Sequence, residues 1–233
     1  MSADDPDARD LKHAGRVARF WPVVSASVAL ALVLIMSGII ALRPTEPFAI
    51  DLKWMGEVVE HRSSFWTVPA LVMNYLGGGI VGIFVVPVGI VVVLLLFRRP
   101  WGALFFAVAE AVSAICVQLL KVTVGRARPE DMLVQSDAGS FPSGHTANAA
   151  TIVIALGVIF PRVWVWVVGG AYAVLMALSR TYLGAHWLSD TVGGLLLGAG
   201  VAVIVWAPFA QRLTAERARP HRFVLVKKQS ATP

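Results

Sequence analysis

The chain has 233 residues, 57% hydrophobic and 15% charged, with a mean hydropathy of +0.72. A soluble domain is typically about 45–50% apolar and 25% charged, so these values exclude a cytosolic globule and equally a disordered chain. A single cysteine, Cys116, set in an apolar run, excludes an internal disulfide framework and a thiolate zinc cluster. The composition is that of an integral membrane protein.

Taken in chain order, six segments are long and apolar enough to cross hydrocarbon, which takes about 17–25 residues. They are residues 20–42, 68–97, 101–120 (interrupted by Glu110), 144–160, 163–178 and 191–209. The fold expected is all-α, six transmembrane helices in one bundle, with both termini on one side. Residues 1–19 are then an N-terminal segment, 20–209 the membrane domain and 210–233 a basic tail. The first span follows basic residues but is too long for a signal-peptide core, and Ala41-Leu42-Arg43-Pro44 has no small-x-small cleavage site. It is read as a retained helix. Residues 43–67 form one sizeable exterior loop, where Ile50, Trp54 and Val58, with Leu52, Met55 and Val59, recur at helical spacing and predict an amphipathic helix.

The formal charge of +6 is distributed by side. Of the 20 Lys and Arg residues, 13 fall on the terminal side of these spans, and three (Arg43, Lys53 and Arg62) on the opposite side. The remaining four, Lys121, Arg126, Arg128 and Arg180, stand at the ends of spans. This asymmetry predicts cytoplasmic termini, and a nucleic-acid partner is not needed to explain the charge. Gly77, Gly79 and Gly82 spell GxGxxG, but no strand precedes them and no acidic residue follows about 20 positions on, so no dinucleotide site is expected. Gly78/Gly82 and Gly194/Gly198 are spaced for close helix packing instead.

The polar residues that interrupt the apolar pattern gather on one membrane face. Lys121 to Pro129 closes the third span, Pro142-Ser143-Gly144-His145 opens the fourth, and Ser179-Arg180 to His186 and Asp190 join the fifth and sixth. By parity all three segments meet at the exterior surface. Lys121, Arg128 and Arg180 concentrate three cations there, an arrangement that an anion completes, and Arg presents a planar fork suited to phosphate. Ser143 is a natural N-cap, and free N–H groups at that helix start form an anion seat that Gly144 leaves open. His186 and Asp190 stand four apart on one helical face. A carboxylate on one ring nitrogen fixes the tautomer and leaves the other to attack. His145 follows the anion seat and is placed to protonate a departing alkoxide.

These three blocks resemble the lipid phosphate phosphatase superfamily, the type 2 phosphatidic acid phosphatases, with the pattern KxxxxxxRP, PSGH and SRxxxxxHxxxD. Lys121, Arg128 and Pro129 match the first block, Pro142 to His145 the second, and Ser179, Arg180, His186 and Asp190 the third. The resemblance covers about residues 68–209. It implies a six-helix membrane enzyme with a metal-independent phosphohistidine mechanism and no cofactor. His186 would be the nucleophile, Asp190 its partner and His145 the general acid. Lys121, Arg128, Arg180, Ser143 and Gly144 would hold the phosphoryl oxygens. The partners implied are the bilayer and a lipid phosphate such as phosphatidate, phosphatidylglycerol phosphate or a polyprenyl diphosphate, met at the extracytoplasmic leaflet.

Two rival readings fit the same residues. One is a binder or transporter of phosphorylated lipids that does not hydrolyse them, against which a poised His–Asp pair argues. The other is a soluble vanadate-dependent haloperoxidase, against which the six spans argue. Glu110 lies about 16 Å along its helix from Lys121, at 1.5 Å per residue, too far for the chemistry, and a structural role is expected. Arg126 has no assigned role.

Overall fold

The computed structural model describes residues 6–136 and 139–218, with side chains from Phe20 onward. The described residues contain no strand. Eight α-helices follow in order: α1 (Pro6–Ala41), α2 (Ala49–Glu60), α3 (Ser64–Gly77), α4 (Val86–Leu96), α5 (Pro100–Val124), α6 (Gly144–Ile159), α7 (Val163–Tyr182) and α8 (Leu188–Arg217). The N-terminal segment 1–19 is helical from Pro6, and its first five residues lie outside the described residues. α8 continues to Arg217, so helix extends into the expected tail, and residues 219–233 of that tail also lie outside the described residues.

Among the described residues, four helices are long and apolar enough to cross a bilayer: Phe20–Ala41, Pro100–Val124, Val163–Tyr182 and Leu188–Arg217. The expected span at 68–97 is broken. α3 stops at Gly77, and the chain resumes through a π-helical turn, Val81–Val85, into α4, with a bend of 51° between the halves. Three consecutive glycines cause the break, and Gly79, at φ +57°, takes the left-handed conformation that most side chains resist. Counting the bent pair as one crossing gives up to five. The expected fourth span is α6, an apolar helix of 16 residues, about 24 Å long at 1.5 Å per residue.

α8 is the central helix, touching α1, α2, α5, α6 and α7. Its closest approach is to α6, and glycine makes it possible. A Cβ on Gly194 would collide with Ser143 and Thr146, and one on Gly198 with the Ala147 carbonyl. Gly194 and Gly198 therefore pack as the small-residue spacing predicts. Gly78 and Gly82 do not share one partner helix: Gly78 accommodates the His145 ring, whereas Gly82 abuts the backbone of Gly77 inside the bend. Phe105 and Phe106 of α5, Ile152 and Ile159 of α6 and Leu213 of α8 form one buried core. At the end of this core the buried Glu216 accepts the otherwise orphaned N–H groups of Trp101 (2.8 Å) and Gly102 (3.0 Å) at the start of α5.

Candidate active site

α5 ends because Gly125 adopts a left-handed cap, at φ +59°, and gives its N–H to the Lys121 carbonyl at 3.1 Å. The chain then continues without regular secondary structure through Arg126 and Arg128. α6 begins at Ser143, and α8 at Trp187, directly after His186. Lys121, Arg128, Gly144, His145, Arg180 and His186 consequently line one cavity of ≈ 840 Å³. Asp190 stands behind His186, fully buried. Ser143 occupies the N-cap position, but its buried hydroxyl makes no hydrogen bond to the first turn.

The histidine geometry differs in one respect from the sequence expectation. His186 Nδ1 lies 3.6 Å from Asp190 Oδ2, beyond hydrogen-bond reach, and 2.8 Å from the Ser140 carbonyl. A carbonyl can only accept, so Nδ1 carries the proton and Nε2 is the unprotonated nitrogen. That Nε2 lies 3.4 Å from Arg128 Nη1. Burial pushes the His186 pKa well below the ordinary range, and the charges of Arg180, Arg128 and Lys121 push it further. A neutral ring with a fixed tautomer, one nitrogen at an anion pocket, has the electronic form of a nucleophile.

The cations are held by carbonyl and amide oxygens. Arg128 donates from Nη1 to the Ala185 carbonyl (2.5 Å) and from Nη2 to that of Gly139 (2.9 Å), and Lys121 Nζ donates to the same Gly139 carbonyl (3.2 Å). Arg180 Nη1 donates to Asn74 Oδ1 on α3. His145 Nε2 lies 3.1 Å from the Asn74 carbonyl, which puts its proton there, so protonating a leaving group requires that bond to be exchanged. Asn74 thus organises both Arg180 and His145, and nothing in the local sequence of α3 signals it.

The strongest polar network belongs to Arg126, whose role the sequence did not reveal. Its Nη1 donates to Asp190 Oδ1 (2.5 Å) and Ser189 Oγ (2.7 Å), and its Nη2 donates to Asp51 Oδ2 (2.7 Å). Asp51 also accepts from the Ser189 N–H (2.9 Å) and hydroxyl (2.7 Å). The two aspartates are 0% exposed and Arg126 is 2% exposed. Each aspartate is the third residue of its helix and reaches back to the N-terminus, Asp51 to Phe48 N (3.3 Å) and Asp190 to Trp187 N (2.8 Å). A carboxylate three residues after a cap was the available signal for both.

Removing one partner from a buried ion pair costs about 3–5 kcal/mol, because the remaining charge stays buried. Arg126→Leu is therefore expected to lower stability by that order in denaturant unfolding of the detergent-solubilised protein. Asp51→Asn should cost less, since the amide oxygen still accepts from Ser189. The Asp51→Ala/Arg126→Leu double variant should lose less than the sum of its singles. Additive losses would show that the pair is not coupled.

The chain is similar to proteins of known family and fold. Residues 102–214 match the PAP2 superfamily. The phosphatidylglycerophosphatase B of Bacillus subtilis is 35% identical over 112 residues, which cover 44% of this chain and 55% of that protein. A lipid A 1-phosphatase of Rhizobium johnstonii is 31% identical over 136 residues, covering 54% of each chain. The matched segments thus span about half the length of these curated relatives. The crystal structure of a transmembrane PAP2 type phosphatidylglycerolphosphate phosphatase from Bacillus subtilis superposes with a TM-score of 0.69 at 23% identity, over 85% of this chain and 99% of that one. That likeness concerns the fold. What the match shows is a PAP2 superfamily domain over residues 102–214.

Proposed function

We propose that this chain is a membrane phosphatase that hydrolyses lipid phosphate monoesters or diphosphates at the extracytoplasmic leaflet through a phosphohistidine on His186. The observation that carries the reading is the shape and polarity of the cavity. Its charged end gathers Lys121, Arg128, Arg180 and the unprotonated Nε2 of His186. From there it follows α5 from Lys121 down to Phe106, about 22 Å at 1.5 Å per residue, between walls that include Val88, Val91, Ala107, Ala111 and Ala114. A phosphate at one end and a hydrocarbon chain along the rest fit that form.

In this reading the phosphoryl oxygens sit among Lys121, Arg128, Arg180 and the start of α6, where the Ser143 hydroxyl has no partner and the Gly144 N–H is in the first turn. His186 Nε2 attacks phosphorus as the bond to the leaving oxygen breaks. In its imidazolium form, which a bound phosphate anion favours, His145 gives that oxygen its proton, then as neutral imidazole takes one from the water that cleaves the P–N bond and releases inorganic phosphate. Asp190 acts through the Arg126 network and the start of α8 to hold the loop that carries His186. The three cations supply the positive charge that a divalent ion would bring, so no metal is required. Six crossings and cytoplasmic termini, with thirteen basic residues on that side, accompany this reading and put the charged end outside.

Purified protein should release phosphate from long-chain lipid phosphates in mixed micelles, keep that activity in excess EDTA, and lose it in His186→Ala. Because the His186 pKa is lowered, the nucleophile stays neutral as pH falls through the ordinary histidine value of about 6.5. The acid limb of kcat/KM that belongs to this group should lie below that value. Lipid binding without phosphate release would point to a carrier, and loss in EDTA with recovery in magnesium would refute the metal-free chemistry.

Sidedness is tested separately. In a Cys116→Ser background, a cysteine at Ser136 should react with an impermeant reagent on intact cells, and one at Ser230 only after permeabilisation. The reverse pattern would put the pocket in the cytoplasm.

A further inference from the structure

Below its charged end the cavity is lined by polar residues that the phosphatase chemistry does not use. Asn148, one helical turn after Gly144 on α6, gives its amide N–H to the Gly82 carbonyl at 2.9 Å, while its Oδ1 is buried with no hydrogen-bond partner. Deeper on α5 stands Glu110, whose Oε1 is likewise buried and unpartnered, and no cation among the described residues forms an ion pair with it. Ser113 lies between them in depth, its hydroxyl accepting from Thr151 at 3.0 Å. Asn148, Ser113 and Glu110 all line the cavity.

An unsatisfied acceptor buried at hydrocarbon depth is costly, and a carboxyl within a span marks a functional site by default. Two such acceptors, just beneath the surface of the cavity that their residues line on α5 and α6, make a sequence of hydrogen-bonding positions along the course of the lipid chain. Asn148 is about 6 Å below Gly144, and Glu110 about 16 Å below Lys121, at 1.5 Å per residue. The amide oxygen can only accept, so the group it meets must be a donor. Ester-linked acyl chains and polyprenyl chains offer no donor at either depth.

We infer that Asn148 and Glu110 form a second recognition site for hydrogen-bond donors, hydroxyl or amide N–H, carried on the body of the lipid below its phosphate. The inference rests on the lipid phosphate reading and narrows it to amide-linked or hydroxylated lipid phosphates. Asn148 meets the donor nearest the phosphate, and Glu110 one further along the chain. Neither residue touches the reacting phosphorus, so their contribution is to substrate choice.

Two lipids with the same phosphate monoester and matched chain lengths make the test: dihydroceramide 1-phosphate, with an amide N–H and a hydroxyl, and phosphatidate, with esters alone. Binding is read from the thermal stabilisation that each gives the purified wild-type protein, and turnover from phosphate release at equal surface concentration. The amide lipid should be favoured about tenfold or more in both, the scale of one buried hydrogen bond restored. Asn148→Val should erase most of that preference, and Glu110→Leu, an apolar replacement suited to its surroundings, should erase part of it. Neither should change kcat on phosphatidate. Asn148→Ser, which keeps an acceptor, should retain part of the preference should the valine variant fail to fold. Equal binding and equal turnover of the two lipids by wild type, or a preference undiminished in Asn148→Val and Glu110→Leu, would overturn the site while leaving the phosphatase reading intact. A binding preference without phosphate release from either lipid would uphold the site and remove the phosphatase reading instead.

Discussion

One guanidinium holds this molecule's polar chemistry in register. Arg126 is buried between Asp51 and Asp190, with Nη1 committed to α8 and Nη2 to α2. A buried ion triad of this kind is a weak source of net stability, because desolvation consumes most of the attraction, but its geometry is exacting. The two carboxylates already satisfy the N-termini of their helices, so Arg126 in effect clamps two helix starts together. His186 is the residue just before the second of those starts. Ser189 adds its backbone N–H and its hydroxyl to the same cluster, both directed at Asp51. The segment that carries α2 is thereby part of the scaffold of the candidate site, although no residue of α2 lines its cavity.

The placement of charge follows from the membrane. Cations are tolerable at the mouths of spans, where carbonyl oxygens of loop residues can receive them, as Gly139 and Ala185 do for Lys121 and Arg128. The same cations, together with burial, keep His186 neutral. Low dielectric and positive potential, each costly alone, jointly produce an unprotonated imidazole, the form that the proposed attack on phosphorus requires. The break between α3 and α4 contributes in a different way. By ending α3 at Gly77, it puts Asn74 at the depth of Arg180 and His145, and its glycines leave room for the His145 ring.

Much of this was legible in the sequence because polar residues are rare in an apolar chain. Lys121, Arg128, His145, Arg180 and His186 stand out against their spans, and span parity puts them on one face, where the folded chain gathers them into one cavity. Gly194 and Gly198 were legible from spacing alone. The partners of these residues were not. Asn74 and Asp51 lie 106 and 75 positions from the arginines they receive, and no local pattern encodes such pairings. The i,i+4 spacing of His186 and Asp190 suggested a direct bond. The backbone turn into α8 instead offers Nδ1 the Ser140 carbonyl, while Asp190 turns to Arg126 and its own helix start. The run 68–97 read as one helix because hydropathy does not register where backbone hydrogen bonding fails. The three glycines inside it were the signal, and they mark a bend as well as close packing.

The central claim is that the phosphoryl group passes through His186 Nε2. Rapid quenching of the purified protein after mixing with a lipid carrying a radiolabelled phosphate, under alkaline conditions that preserve a P–N bond, examines it directly. The account predicts an acid-labile label on the peptide that contains His186, formed before phosphate is released and absent from His186→Ala. A label that persists in His186→Ala, or maps to the peptide containing Ser143 and His145, would contradict it.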